Sequence, residues 1–277
     1  MRALGAAAAA GALVSVATAL GAGTTSPAQI VATLNHERVE NRIPGGITLD
    51  PASTKGCANH IRYEELNGVA WTHEETPGKP GYTKAGMLAA VEGLQANTGG
   101  WEAGDPYENL PLHLAALLDP RLDRIGASES GVRTCVSVGA GYMRQFKKEQ
   151  IFAAPGDGRR GVPSAQTVHG ESPFAPGDLV GLPQGRTTGP TIYVFLVGPA
   201  AGPSNVAQAR VTGPSGPVAI QIVDTTRHPQ LAPYIPLGVG FLIPVAPLAH
   251  GTTYHASVTM KSPDGERLTK TWHFVTA

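Results

Sequence analysis

The sequence predicts two domains: an α+β N-terminal domain followed by an all-β sandwich. Three observations lead there. At 277 residues the chain exceeds the roughly 100–200 residues of a typical single domain. Helix-period patterns with start and stop signals fill the first half, whereas short β-type runs punctuated by turn residues fill the last third. The 35 Gly, 24 Pro and only 15% charged residues suit loop-rich, β-containing domains better than a helical bundle.

The first segment reads as a targeting signal. Met1 and Arg2 supply a positive start, Ala3 to Ala22 is a run of small and apolar residues, and Thr24-Thr25-Ser26-Pro27 ends it. Residues 1–25 are therefore expected to be a signal peptide cleaved near Ala22 or Gly23. The run is too rich in Ala and Gly for a strongly apolar spanning helix, which needs about 20 apolar residues. The expected destination is secretion, to the periplasm or the cell surface, with no membrane span after cleavage.

Ser26-Pro27-Ala28-Gln29 has the pattern of a capping box with Pro at the first helical position. Ile30, Val31 and Leu34 form the apolar face of that helix, and Pro44-Gly45-Gly46 ends it. Asp50-Pro51 repeats the start signal for a second helix, with Cys57, Ala58 and Ile61 inward and a stop at Asn67-Gly68. A third helix is predicted over about Thr83 to Gln95, with Met87, Leu88, Val91 and Leu94 inward. After a glycine-rich loop from Thr98 to Asp105, Leu110, Leu114, Leu117 and Leu118 predict a short helix ending before Pro120. Ile125 to Ala127 and Val132 to Gly139, around a turn at Glu129 to Gly131, predict a hairpin that closes the domain near Tyr142.

From residue 144 to 190 there is little regular pattern and much Gly and Pro, which marks a linker or a loose lead-in to the second domain. Strands are predicted at Thr191–Val197, Ala209–Thr212, Val218–Val223, Gly240–Ile243, Thr253–Met260 and Thr269–Val275. This spacing over residues 191–277 is that of an Ig-like sandwich. Leu248 to Tyr254 is similar to the tyrosine corner of such domains, in which a Tyr hydroxyl bonds back to the loop before its strand.

Equal numbers of basic and acidic side chains, 21 each, leave no summed field for nucleic acid or an anionic membrane, so neither is an expected partner. The two cysteines, Cys57 and Cys135, are expected to form a structural bridge in an oxidising compartment, the alternative being two buried thiols. No Gly-x-Ser-x-Gly elbow or phosphate-binding loop is present. His36-Glu37 lacks the second zincin histidine, since Glu40 stands in its place.

Five motifs, in order, resemble the CAP superfamily, the cysteine-rich secretory protein-like domains. They are Leu34-Asn35-His36-Glu37-Arg38, Leu49-Asp50-Pro51, the Cys-Ala-Asn-His-x-x-Tyr run at 57–63, Trp71-Thr72-His73, and Pro111-Leu112-His113 with Leu117-Leu118-Asp119-Pro120 and Ile125-Gly126. The resemblance spans about residues 27–143, and the domain is taken as 26–143. It implies an α-β-α sandwich with an open cleft in which family members gather two His and two Glu and can hold a divalent cation. His73 and His113 carry over. The expected Gly-Glu-Asn is not visible at Gly81 to Gly86, which leaves Glu74, Glu75 and Glu108 as cleft candidates. Two imidazoles without placed carboxylates give at most a weak zinc or copper site. No cofactor is otherwise expected. The expected role is a monomeric, non-enzymatic module that binds a small apolar ligand, lipid or cell-envelope component. The alternative is a metal-assisted hydrolase of peptide or cell-wall bonds using His73 and His113.

Overall fold

The computed structural model describes residues 25–96, 100–199 and 205–277. The expected signal peptide lies outside the described residues apart from Thr25. Among the described residues no helix is long and apolar enough to cross a membrane.

The chain is a mixed α+β protein. Helix α1 (Pro27–Glu40) begins at the predicted capping box, Ser26 accepting from the Gln29 amide while the Gln29 side chain accepts from the Ser26 amide. Helix α2 (Pro51–Asn67) is capped by Asp50 and ends on Gly68 in the left-handed conformation that glycine adopts at least cost. Helices α3 (Lys84–Val91) and α4 (Pro111–Leu118) follow, with β1 (Thr48–Leu49), β2 (Gly93–Ala96), β3 (Arg124–Ser130) and β4 (Arg133–Ser137). The strands form one sheet in the order β1-β3-β4-β2, in which β1 runs parallel to β3 and the other pairs are antiparallel.

Helices cover both faces of this sheet. Ile30 and Leu34 of α1 and Ala116 and Leu117 of α4 pack with Ile125, Ala127 and Val136 on one side. On the other, Cys57 and Ile61 of α2 and Ala89 of α3 pack on Cys135. Gly126 permits the close approach of α2, because a Cβ there would lie 2.3 Å from the Ser53 carbonyl carbon. Cys57 and Cys135 are joined, with 5.4 Å between their Cα atoms, which ties α2 to β4.

Arg38 of α1 is fully buried and donates to the carbonyls of Pro44, Leu117, Asp119 and Leu122. Burial pulls its pKa down to about 10, and nearby Arg144 acts in the same direction. Its four acceptors explain why so polar a group stays inside: the buried guanidinium finds a carbonyl for its Nε and for both terminal nitrogens. Asn35 adds a reciprocal pair with the Ile47 backbone. The Asn-x-x-Arg spacing thus fastens α1 to the loops at its C-terminal end.

The third helix differs from the sequence expectation. It stops at Val91, and Gly93–Ala96 is strand β2. Met87, Leu88 and Val91 point outward, while Gly86, Ala89 and Ala90 are buried. The reason is the close approach of α2 and α3. A Cβ at Gly56 would sit 2.8 Å from the Ala85 carbonyl and 3.1 Å from the Ala89 Cβ, so only small residues fit between the helices.

The second half contains a five-stranded sheet, β11-β10-β14-β15-β6, facing a four-stranded one, β12-β13-β9-β5. Their strands are β5 (Gln150–Ala154), β6 (Arg159–Val162), β9 (Ile192–Val197), β10 (Asn205–Gly213), β11 (Gly216–Val218), β12 (Ile220–Asp224), β13 (Val239–Pro244), β14 (Thr253–Lys261) and β15 (Arg267–Thr276). Two further short strands, β7 (Gln166–Thr167) and β8 (Thr187–Thr188), pair with each other. The irregular segment 144–190 therefore supplies an edge strand to each large sheet. Tyr254 accepts from the Ala249 amide at 2.8 Å, closing the corner read in the sequence.

The four-stranded sheet is buried on both faces. Ile192, Val194, Leu196 and Leu242 meet the five-stranded sheet, whereas Tyr193, Phe195, Phe241 and Ile243 meet α4 residues Leu112, Leu114, Ala115 and Leu118. That is why β9 reads Ile-Tyr-Val-Phe-Leu-Val with no polar alternation. Helix α4, buried at all eight positions, belongs to the cores of both halves.

Candidate binding groove

An open groove of about 800 Å³ runs between the two halves. Its N-terminal wall is made by the loop after α2 (His73, Glu74), the α3–β2 junction (Val91 to Leu94), and Leu112, His113 and Ala116 of α4. Its other wall is made by Ser172, Pro173 and the segment Pro233–Leu237.

The structure brings the two predicted histidines together, with ring centroids 6.5 Å apart and planes at 42°. His73 Nδ1 lies 3.0 Å from the Ala90 carbonyl, so Nδ1 holds the proton and Nε2 carries the lone pair. Burial is the main reason its imidazole lies below the usual histidine pKa. His113 Nδ1 lies 2.6 Å from Glu171 Oε1, and its ring stacks on Tyr107 with centroids 5.7 Å apart. Each ring is therefore fixed through Nδ1, which leaves Nε2 as its available acceptor.

Glu171 does more than orient His113. Its carboxylate accepts from the Leu112 and His113 amides, the first free donors of α4. Leu110, at the N-cap, offers no side-chain acceptor, so Glu171, 58 positions beyond His113, caps the helix instead. An anion is also favoured there by the helix dipole.

The carboxylates are placed differently from expectation. Glu74 lines the groove, joined by Glu92, which the sequence reading missed. With α3 ending at Val91 rather than at Gln95, Glu92 becomes its C-cap at the groove wall. Glu75 is buried elsewhere, with Oε1 3.1 Å from His60 Nδ1 and Oε2 accepting from the Thr83 amide. His60 of α2 is fully buried, and its Nε2 contacts the Thr72 carbonyl at 2.9 Å. Both of its ring nitrogens are thus occupied: Nδ1 ties α2 through Glu75 to the start of α3, and Nε2 ties α2 to the loop that follows it.

Glu108 belongs to a separate hollow of about 340 Å³, lined also by Glu37, Asn41, Arg159 and Tyr193. Burial, followed by the neighbouring Asp105, pushes the Glu37 carboxyl well above its ordinary range. Burial also raises Asp105, to about 6, against a lowering contribution from the Tyr107 amide.

Among the described residues, no group of three or more His, Cys, Asp and Glu side chains is arranged to hold a metal ion. No protein-family model matches the sequence, and no curated protein matches it. Two crystal structures of PcoC, a methionine-rich copper resistance protein from Escherichia coli, one of them the selenomethionine form, are similar to part of the chain. They share 15% identity, cover 48% of this chain and 100% and 97% of their own, and give a TM-score of 0.27. A likeness at that level carries no argument about this protein.

Proposed function

We propose that the chain is a secreted, CAP-like binding module whose groove takes a small apolar ligand, a lipid or the apolar part of a cell-envelope component, without turnover. The observation that carries this reading is the distribution of chemistry along the groove. Val91, Leu94, Leu112, Val138, Ile235 and Leu237 are among the apolar residues of the wall, and His73, His113, Glu74, Glu92 and Arg121 supply polar and charged groups on its N-terminal side. An apolar trough with a few fixed polar groups is the usual form of a small-molecule site. Helices on both faces of the β1-β3-β4-β2 sheet support the CAP-like reading, and the tyrosine corner supports an Ig-like second half. The Cys57–Cys135 bridge supports export to an oxidising compartment.

The test is fluorescence titration with cis-parinaric acid, a fatty acid that brightens on leaving water. Saturable uptake is expected, with at least tenfold weaker binding in Val91→Asp, an exposed groove residue whose change leaves the core intact. Absence of uptake, or equal uptake by the variant, would sink the reading.

A second reading, metal-assisted hydrolysis, draws on one observation: Glu74 and Glu92 share the groove with two histidines fixed through Nδ1. Calorimetric titration with zinc chloride and copper chloride tests it. Loss of one bound ion per chain in His73→Ala/His113→Ala would favour it, and an unchanged number of bound ions in that variant would remove it.

A further inference from the structure

The outer face of the five-stranded sheet carries a second histidine pair. β14 and β15 place His255 directly opposite His273, with ring centroids 6.1 Å apart and planes tilted by 36°. Side chains opposite one another on antiparallel strands stand about 4.5–5.5 Å apart at Cβ, so the ladder itself holds the rings side by side. Both residues are exposed.

Asp157, from the turn before β6, fixes one of them. Its Oδ1 lies 3.0 Å from His273 Nδ1 and also accepts from the His273 amide, while Arg42 holds Oδ2 at 3.2 Å. The carboxylate keeps the proton on Nδ1 and turns the Nε2 lone pair outward. A carboxylate behind the remote nitrogen is the support that metal-bound histidines generally have. Ser257 and Thr271, the next opposed pair along the face, complete a shallow concavity of about 360 Å³ that would admit water as additional ligand.

We propose that His255 and His273 form a two-imidazole clip for a divalent transition-metal ion, Cu(II) ahead of Zn(II). Imidazole nitrogen suits both ions, and Cu(II) binds tightest among the divalent first-row metals. Ca(II) and Mg(II), which require oxygen ligands, are excluded because the local carboxylate is engaged by His273 and Arg42. Arg210 lines the same concavity, and its charge keeps the clip weaker than a closed cage.

Copper chloride titrated into the full chain carrying His73→Gln/His113→Gln tests the clip free of any groove contribution. Calorimetry should give one ion per chain, and electron paramagnetic resonance should show two nitrogen donors. Adding His255→Gln or His273→Gln should weaken binding at least tenfold. Asp157→Asn, which leaves both ligands in place, should weaken it by about tenfold. Because the ligand positions are exposed, unchanged circular dichroism and melting are expected in the two histidine variants. Copper binding unaffected by His255→Gln, a single nitrogen donor, or no binding at all would overturn the proposal.

Discussion

Glu37 and Asp105 are neighbouring carboxyl groups, and both hold protons more tightly than free carboxyls. For such groups the folded state binds more protons than the unfolded state, so stability falls as pH rises from the ordinary carboxylate range through about 6. Asp105→Asn removes the Asp105 share of that penalty, and an amide oxygen can still accept from the Tyr107 amide as Asp105 Oδ1 does. The variant should melt close to the parent at pH 4.5 and above it at pH 7.5, read by thermal denaturation at both values. A difference that does not grow with pH would show that the pair is not strained by ionisation. The same scale shows what sequence reading reaches. His73 and His113 were legible because each sits in a recognisable local motif. Glu171, which orients His113, was not, because it lies in a Gly- and Pro-rich stretch with no periodicity and acts across 58 positions.

At the scale of elements, the signals that could be read were those made by near neighbours. The capping box at Ser26, the Asp50 cap, the Gly68 stop and the Tyr254 corner all depend on residues within five positions of one another. The inward face of α3 depends instead on how near α2 comes, and Gly56 and Ala89 decide that from two different helices. The periodicity of the large apolar residues therefore points away from the buried face, where only Gly86, Ala89 and Ala90 fit. The edge strands β5 and β6 escaped for a related reason: each is only five or four residues long and is defined by a distant partner in the sheet. The disulfide crosses elements 78 positions apart. In the chain-entropy model, closing a loop of that length contributes about 4–5 kcal/mol. Cys57→Ala/Cys135→Ala should lose stability of that order in urea titration, and a loss below ~1 kcal/mol would place the stabilisation elsewhere.

For the molecule as a whole, α4 matters most. Its Ala116 and Leu117 belong to the core beneath the first sheet, and its Leu112, Leu114, Ala115 and Leu118 to the core against the four-stranded sheet. Neither half can lose its packing without exposing part of the other. Calorimetric unfolding should show one transition with equal calorimetric and van't Hoff enthalpies. Leu114→Ala, which opens a cavity at the junction, should cost about 2–5 kcal/mol and move the whole transition. Two peaks, of which only one moves, would mean that the halves melt independently.

The Glu171 carboxylate reaches from the second half to cap α4 and set the His113 ring in the first. Ancestry and engineering meet a constraint there. A segment cut at residue 143 and grafted onto another partner would carry both groove histidines but leave behind the acceptor that holds one of them, together with the facing wall. The heritable unit of the groove is thus the joined pair of halves, and exchange of either alone would pass on the motif without the site.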